Sequence, residues 1–73
     1  MSQIEQETID WIKAAFPSGT RLRLLEMDDP QPKAAGSEGT VQKVDDNGMV
    51  IVKWDDGTTD TLFPDRDSFI PEY

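Results

Sequence analysis

Seventy-three residues, with no cysteine, no histidine and fifteen acidic against seven basic side chains, leave room for one small domain and a narrow choice of chemistry. No disulfide can form, and Cys/His zinc sites, thiol chemistry and histidine acid–base catalysis are excluded. The formal charge of -8 repels phosphate backbones and anionic membranes at long range and steers the chain toward a basic protein, while also serving plain solubility.

Residues 3 to 16 place Ile4, Thr8, Trp11, Ile12 and Ala15 at spacings of three and four, with Phe16 extending the stripe. That spacing predicts an amphipathic helix. Ser2 with Glu5 matches a capping box. Glu5, Glu7 and Asp10 precede Lys13 in the order a helix dipole favours, and Pro17 followed by Ser18-Gly19 ends the run. At about 13 residues such a helix is marginal alone. Its stripe needs a partner, either the chain's own sheet or another protein, a second copy of the chain included. Trp11 is the side chain that decides between these.

Thr20 to Met27 predicts the first strand, with Leu22 and Leu24 inward and Arg21 and Arg23 outward. The Leu24-Leu25 doublet blurs the alternation and points to a bulge or a second apolar contact. Asp28 to Ser37 is a ten-residue loop restricted by Pro30 and Pro32. Glu38 to Val44 is the second strand, with Gly39 at a bulge or close backbone contact. Met49 to Trp54 is the third, Val50, Val52 and Trp54 sharing the core face.

Two acidic turn signals bracket that third strand: Asp45-Asp46-Asn47-Gly48 and Asp55-Asp56-Gly57. Asn-Gly and Asp-Gly supply the φ > 0 positions that tight hairpins need. Thr58 to Phe63 is the fourth strand, Pro64 to Asp67 a single tight helical turn, and Ser68 to Pro71 a closing strand with Phe69 or Ile70 inward. The order is strand, long loop, three strands on tight turns, helical turn, last strand. It predicts a mainly β fold: a small five-stranded SH3-like barrel over residues 18–73, preceded by an N-terminal amphipathic helix over residues 1–17. An open sheet capped by the helix is the alternative. The amino terminus lacks the pattern of a signal peptide, and the longest apolar run, Met49 to Val52, is far below the roughly 20 residues that span a bilayer. A soluble cytoplasmic protein is the expectation.

The segments Phe16-Pro17-Ser18-Gly19-Thr20-Arg21, Met27-Asp28-Asp29-Pro30, Gly39-Thr40-Val41, Val44-Asp45-Asp46, Gly48 and Val52-Lys53-Trp54-Asp55-Asp56-Gly57 together resemble a family of small proteins of unknown function. Its members are encoded in phages and in conjugative or other mobile elements of Gram-positive bacteria. The resemblance runs from about Phe16 to Ile70. It implies a fold and a genomic setting, and it carries no activity and no functional residues.

Catalysis has little to work with. The hydroxyls of Ser18, Ser37, Ser68 and Tyr73 have no histidine beside them, and Lys33, Lys43 and Lys53 sit in no nucleophile motif. The expectation is no enzyme activity, no cofactor and no metal, because the aspartates stand where turns use them and the full calcium-loop spacing is absent. Trp54 and Phe63 are expected to fill the core. The candidate partner-binding residues are therefore Trp11, the loop residues Asp28, Asp29 and Pro30, and the carboxylates Asp45, Asp46, Asp55, Asp56 and Asp60. They suit a non-catalytic interaction module for a protein with a basic surface, one form being an acidic inhibitor of a nucleic-acid-binding protein. The alternative is a nucleic-acid-associated accessory protein for element replication or transfer, binding through Arg21, Arg23, Lys43 and Lys53. Neighbouring carboxylates make mutual neutralisation of that strip the stronger expectation, so direct nucleic-acid binding is disfavoured.

Overall fold

A computed structural model of the chain describes residues 6–72. One helix, α1 (Gln6–Ala15), precedes five strands: β1 (Arg21–Glu26), β2 (Glu38–Val44), β3 (Val50–Trp54), β4 (Thr59–Leu62) and β5 (Ser68–Glu72). The strands form one sheet in the order β4-β3-β2-β1-β5, every neighbour antiparallel. This is the mainly β, SH3-like order read from the sequence. The two edges, β4 and β5, are joined by the turn at Pro64 to Arg66, and both face one core.

Alternation within each strand selects that core. Leu22 and Leu24 from β1, Val41 from β2, Val50, Val52 and Trp54 from β3, and Leu62 from β4 are buried. Ile12 and Phe16 close the same cluster from the helix side, so helix and strands share one apolar interior. Phe69 packs against it, its ring 5.3 Å from that of Phe16, while Ile70 faces out.

The buried face of α1 departs from the stripe expected. Ile9, Ile12 and Phe16 point inward, whereas Thr8 and Trp11 are exposed. Ile12 and Phe16 are inward as expected and Ala15 packs against the core, so the difference is Ile9 in place of Thr8 and Trp11. Turning Ile9 inward buries an aliphatic side chain where the expected face would bury a threonine. Ile4 and the Ser2/Glu5 capping box lie outside the described residues, as does Tyr73.

Both hairpins use glycine alone for the left-handed position. Gly48 has φ 83° and Gly57 φ 92°, and no other residue type has positive φ among the described residues. Gly48 donates to the Asp45 carbonyl at 3.0 Å and Gly57 to that of Trp54 at 2.9 Å. These are three-residue turns in which the aspartate or asparagine before each glycine keeps an ordinary conformation. Gly39 acts differently, by close approach. A Cβ there would lie 2.7 Å from Val52 Cγ1, 2.8 Å from the Lys53 carbonyl oxygen and 2.9 Å from Trp54 Cε3. The expected bulge in β1 falls at Leu25, between the pairs Leu24↔Phe69 and Glu26↔Ser68.

Candidate functional site

The doubled aspartates divide their work. Asp45 caps its own turn, one carboxylate oxygen accepting the Asn47 and Met49 amides at 2.9 Å each, while Asp46 meets Lys13 of α1 at 3.1 Å. In the second hairpin Asp56 accepts the Thr58 amide and hydroxyl and also the Lys33 ammonium at 2.6 Å. Asp55 takes both guanidinium nitrogens of Arg21 at 2.6 and 2.7 Å, the bidentate geometry that makes such pairs strong. Asp60 accepts the indole N–H of Trp54 at 2.6 Å, and Asp29 accepts the Gln31 amide. Asp28 contributes its backbone, and Pro30 is exposed on the same loop.

The two doublets stand at opposite ends of β3, separated by about 13 Å of strand. The structure thus brings Asp55 and Asp56 together beside Lys33 and Arg21, and sets Asp45 and Asp46 apart beside the helix. Among the described residues no three carboxylates are placed to hold a metal ion. Half of the basic strip is likewise engaged: Arg23 pairs with Glu72 at 3.2 Å, and Arg21 approaches Glu38 at 3.8 Å besides holding Asp55, while Lys43 and Lys53 are exposed.

These contacts set the carboxyl groups' acidities. Hydrogen bonding from Arg21 lowers Asp55, and hydrogen bonding from Lys33 and then Thr58 holds Asp56 well below the usual carboxylate range. Glu72 moves the other way, chiefly because it shares a hydrogen bond with Glu38. A carboxylate depressed in the folded state stabilises the fold while ionised, so the contribution of Asp55 and Asp56 is present above about pH 4 and disappears as pH falls below it. Glu72 has the opposite sign, opposing the fold as pH rises through its ordinary value. Asp55 and Asp56 are solvent-exposed and Glu72 is only half-buried, so the effect is small. Thermal melts from about pH 6 to about pH 2 should show the melting temperature falling below about pH 4, and the double variant Asp55→Asn/Asp56→Asn should flatten that fall. An unchanged slope in the variant would assign acid sensitivity to other carboxylates.

The second surface is apolar. Among the described residues, Trp11, Leu25 and Ile70 are the large apolar side chains most exposed to solvent, at 69%, 47% and 44%. They come from α1, the β1 bulge and β5, yet all three line one open groove of about 520 Å3, with Phe69, Pro64 and Pro71. Large apolar groups scattered singly need no explanation, but three in one groove form a continuous apolar patch. Asp67 stands in its wall. Its buried carboxylate accepts the Asp28 amide and the Phe63 amide, each at 2.9 Å, and Arg66 Nε at 3.3 Å. The Arg66 guanidinium also lies 4.3 Å from the Phe63 ring centre.

Of the candidate partner-binding residues read from the sequence, Trp11 alone lines this groove. Leu25, Ile70 and Asp67 were missed as site residues; only the Leu24-Leu25 doublet signalled a second apolar contact. Trp54, by contrast, is buried as expected and cannot offer its ring to a peptide.

Comparison with known families decides what the chain is related to. A family model described as a domain of unknown function, DUF4314, matches residues 5–70. The chain belongs to the DUF4314 family. The match includes α1, so in this DUF4314 chain the helix and its groove lie within the family's domain, beyond the Phe16 to Ile70 span of the sequence resemblance. No curated protein and no solved structure matched the chain. Among the described residues of this DUF4314 protein, no helix is long and apolar enough to cross a membrane.

Proposed function

We propose that the chain is a non-catalytic protein-interaction module that docks a basic protein partner in the groove between α1 and β5. The convergence of Trp11, Leu25 and Ile70 on that groove carries the reading. Charge supplies the partner's character. Asp10 adjoins Trp11, Glu26 adjoins Leu25 and Asp65 adjoins Pro64 along the chain, while the nearby cations Lys13, Arg23 and Arg66 each pair with a carboxylate. An apolar floor on a chain of net charge -8 favours an apolar segment flanked by lysine or arginine. The same charge on two copies would repel, which disfavours a homodimer.

The cytoplasmic setting and the phage or mobile-element setting in Gram-positive bacteria belong to this proposal, on the sequence resemblance. The acidic turns have a lesser part in it, because ion pairs and turn amides already engage them. The ion pairs of Arg21 and Arg23 also weaken the nucleic-acid alternative.

Capture from host lysate should recover a partner with wild type and with Asp55→Asn/Asp56→Asn, and lose it with Trp11→Ser or Ile70→Ser. Both serine variants should remain folded, since each removes a solvent-exposed side chain. Recovery that follows the aspartates and ignores Trp11 and Ile70 would sink the groove as the docking surface.

A further inference from the structure

β5 is an edge of the sheet, and among the described residues no strand pairs with its outer side. Leu24 of β1 donates to the Ser37 carbonyl at 2.8 Å and accepts from the Gly36 amide at 2.7 Å, and the Thr20 carbonyl accepts the Val41 amide at 2.8 Å. The even-numbered residues of β1 therefore turn their peptide groups toward β2. By alternation, Arg21 and Arg23 turn theirs toward β5, where their partners are Glu72 and Ile70. The intervening β5 residues, Phe69 and Pro71, direct their peptide groups to the free side. Proline has no N–H. The edge thus presents the Phe69 N–H, the Phe69 carbonyl and the Pro71 carbonyl.

Side chains from both faces of β5 line the groove, Phe69 on the core face and Ile70 on the other, so the edge between them lies within it. An extended segment laid antiparallel along this edge forms two hydrogen bonds with Phe69 and one with Pro71. Its alternate side chains then fall toward Trp11 on one face and toward Leu25 and Ile70 on the other.

Resting on the reading above, we infer that the partner segment enters as a sixth β-strand on β5, an extended run alternating apolar and basic residues. Pro71 ends the paired stretch. A missing donor there blocks the continuous ladder that would otherwise invite edge-to-edge association.

The test uses the whole chain, labelled with 15N, and a short synthetic peptide alternating lysine with isoleucine. Two control peptides accompany it, one with glutamate for lysine and one of the same composition with its isoleucines at helical spacing of three and four. The alternating basic peptide should bind best and slow exchange of the Phe69 amide at least about tenfold. A synthetic chain with an ester in place of the Phe69 N–H, the ring retained, should bind about five- to tenfold more weakly. No binding at about 1 mM peptide would overturn the inference. So would a preference for the helical spacing, binding without protection of Phe69, or equal binding of the glutamate peptide. Protection of Phe69 on concentrating the chain alone would make a second copy the occupant, and equally overturn it. Capture of a partner dependent on Trp11 and Ile70 that leaves Phe69 unprotected would keep the module and discard the added strand.

Discussion

Replacing Asp67 with alanine is expected to remove about 3 kcal/mol of folding stability, because two backbone amides lose their acceptor at once. The Asp28 and Phe63 amides meet opposite oxygens of this one carboxylate. The remaining contact of the carboxylate, Arg66, is a donor and cannot take its place. A protein of this length has a total stability of about 4–11 kcal/mol, so the loss is a large share of it. The melting temperature should fall by roughly 12–24 °C. Asp67→Asn separates hydrogen bonding from packing, since it keeps the shape but turns one acceptor into a donor. Its stability should fall between wild type and alanine. Because one carboxylate holds both amides, hydrogen exchange in Asp67→Ala should rise at Asp28 and Phe63 together. A melting temperature within a degree or so of wild type would show that water replaces the carboxylate at both amides.

Gly39→Ala should be nearly as damaging, at about 2–3 kcal/mol, for an opposite reason: an atom added where there is no space. Of the three atoms its methyl would meet, the Val52 methyl and Trp54 ring are buried, and the Lys53 carbonyl is fixed in a strand. Relief requires β2 and β3 to move apart at the centre of the sheet. Denaturant melts of Gly39→Ala beside Gly36→Ala would isolate the cause. Gly36 has open space but a φ of 90°, so its cost is conformational and smaller, about 1 kcal/mol. Equal losses in the two variants would argue against crowding at Gly39.

Local chemistry was what the sequence expressed well. The β2–β3 and β3–β4 hairpins follow from glycine after a polar turn residue, and the inward set of β3 follows from strict alternation in Val50, Val52 and Trp54. The Leu25 bulge was foreshadowed by the adjacent leucines. The helix face was harder, since Thr8 and Ile9 are neighbours and only the tertiary partner distinguishes the stripes they begin. Nothing local marks Asp67 as buried, because its role depends on an amide 39 residues earlier in the chain. The groove was hidden for the same reason: Trp11, Leu25 and Ile70 meet only when α1, β1 and β5 are assembled. The aspartate of each pair that does not cap its turn became intelligible only with its cation in view, Lys13 for Asp46 and Arg21 for Asp55.

The two tryptophans, one sealed in the core and hydrogen-bonded to Asp60, the other open to solvent on the helix, give the molecule two separable optical reporters. Emission from Trp54 should be shifted to the blue, shielded from acrylamide, and lost only on global unfolding. Emission from Trp11 should be red-shifted and readily quenched, and should respond to whatever fills the groove while the fold stays intact. Trp11→Phe leaves a pure folding signal, so docking and denaturation can be followed independently in one unlabelled chain.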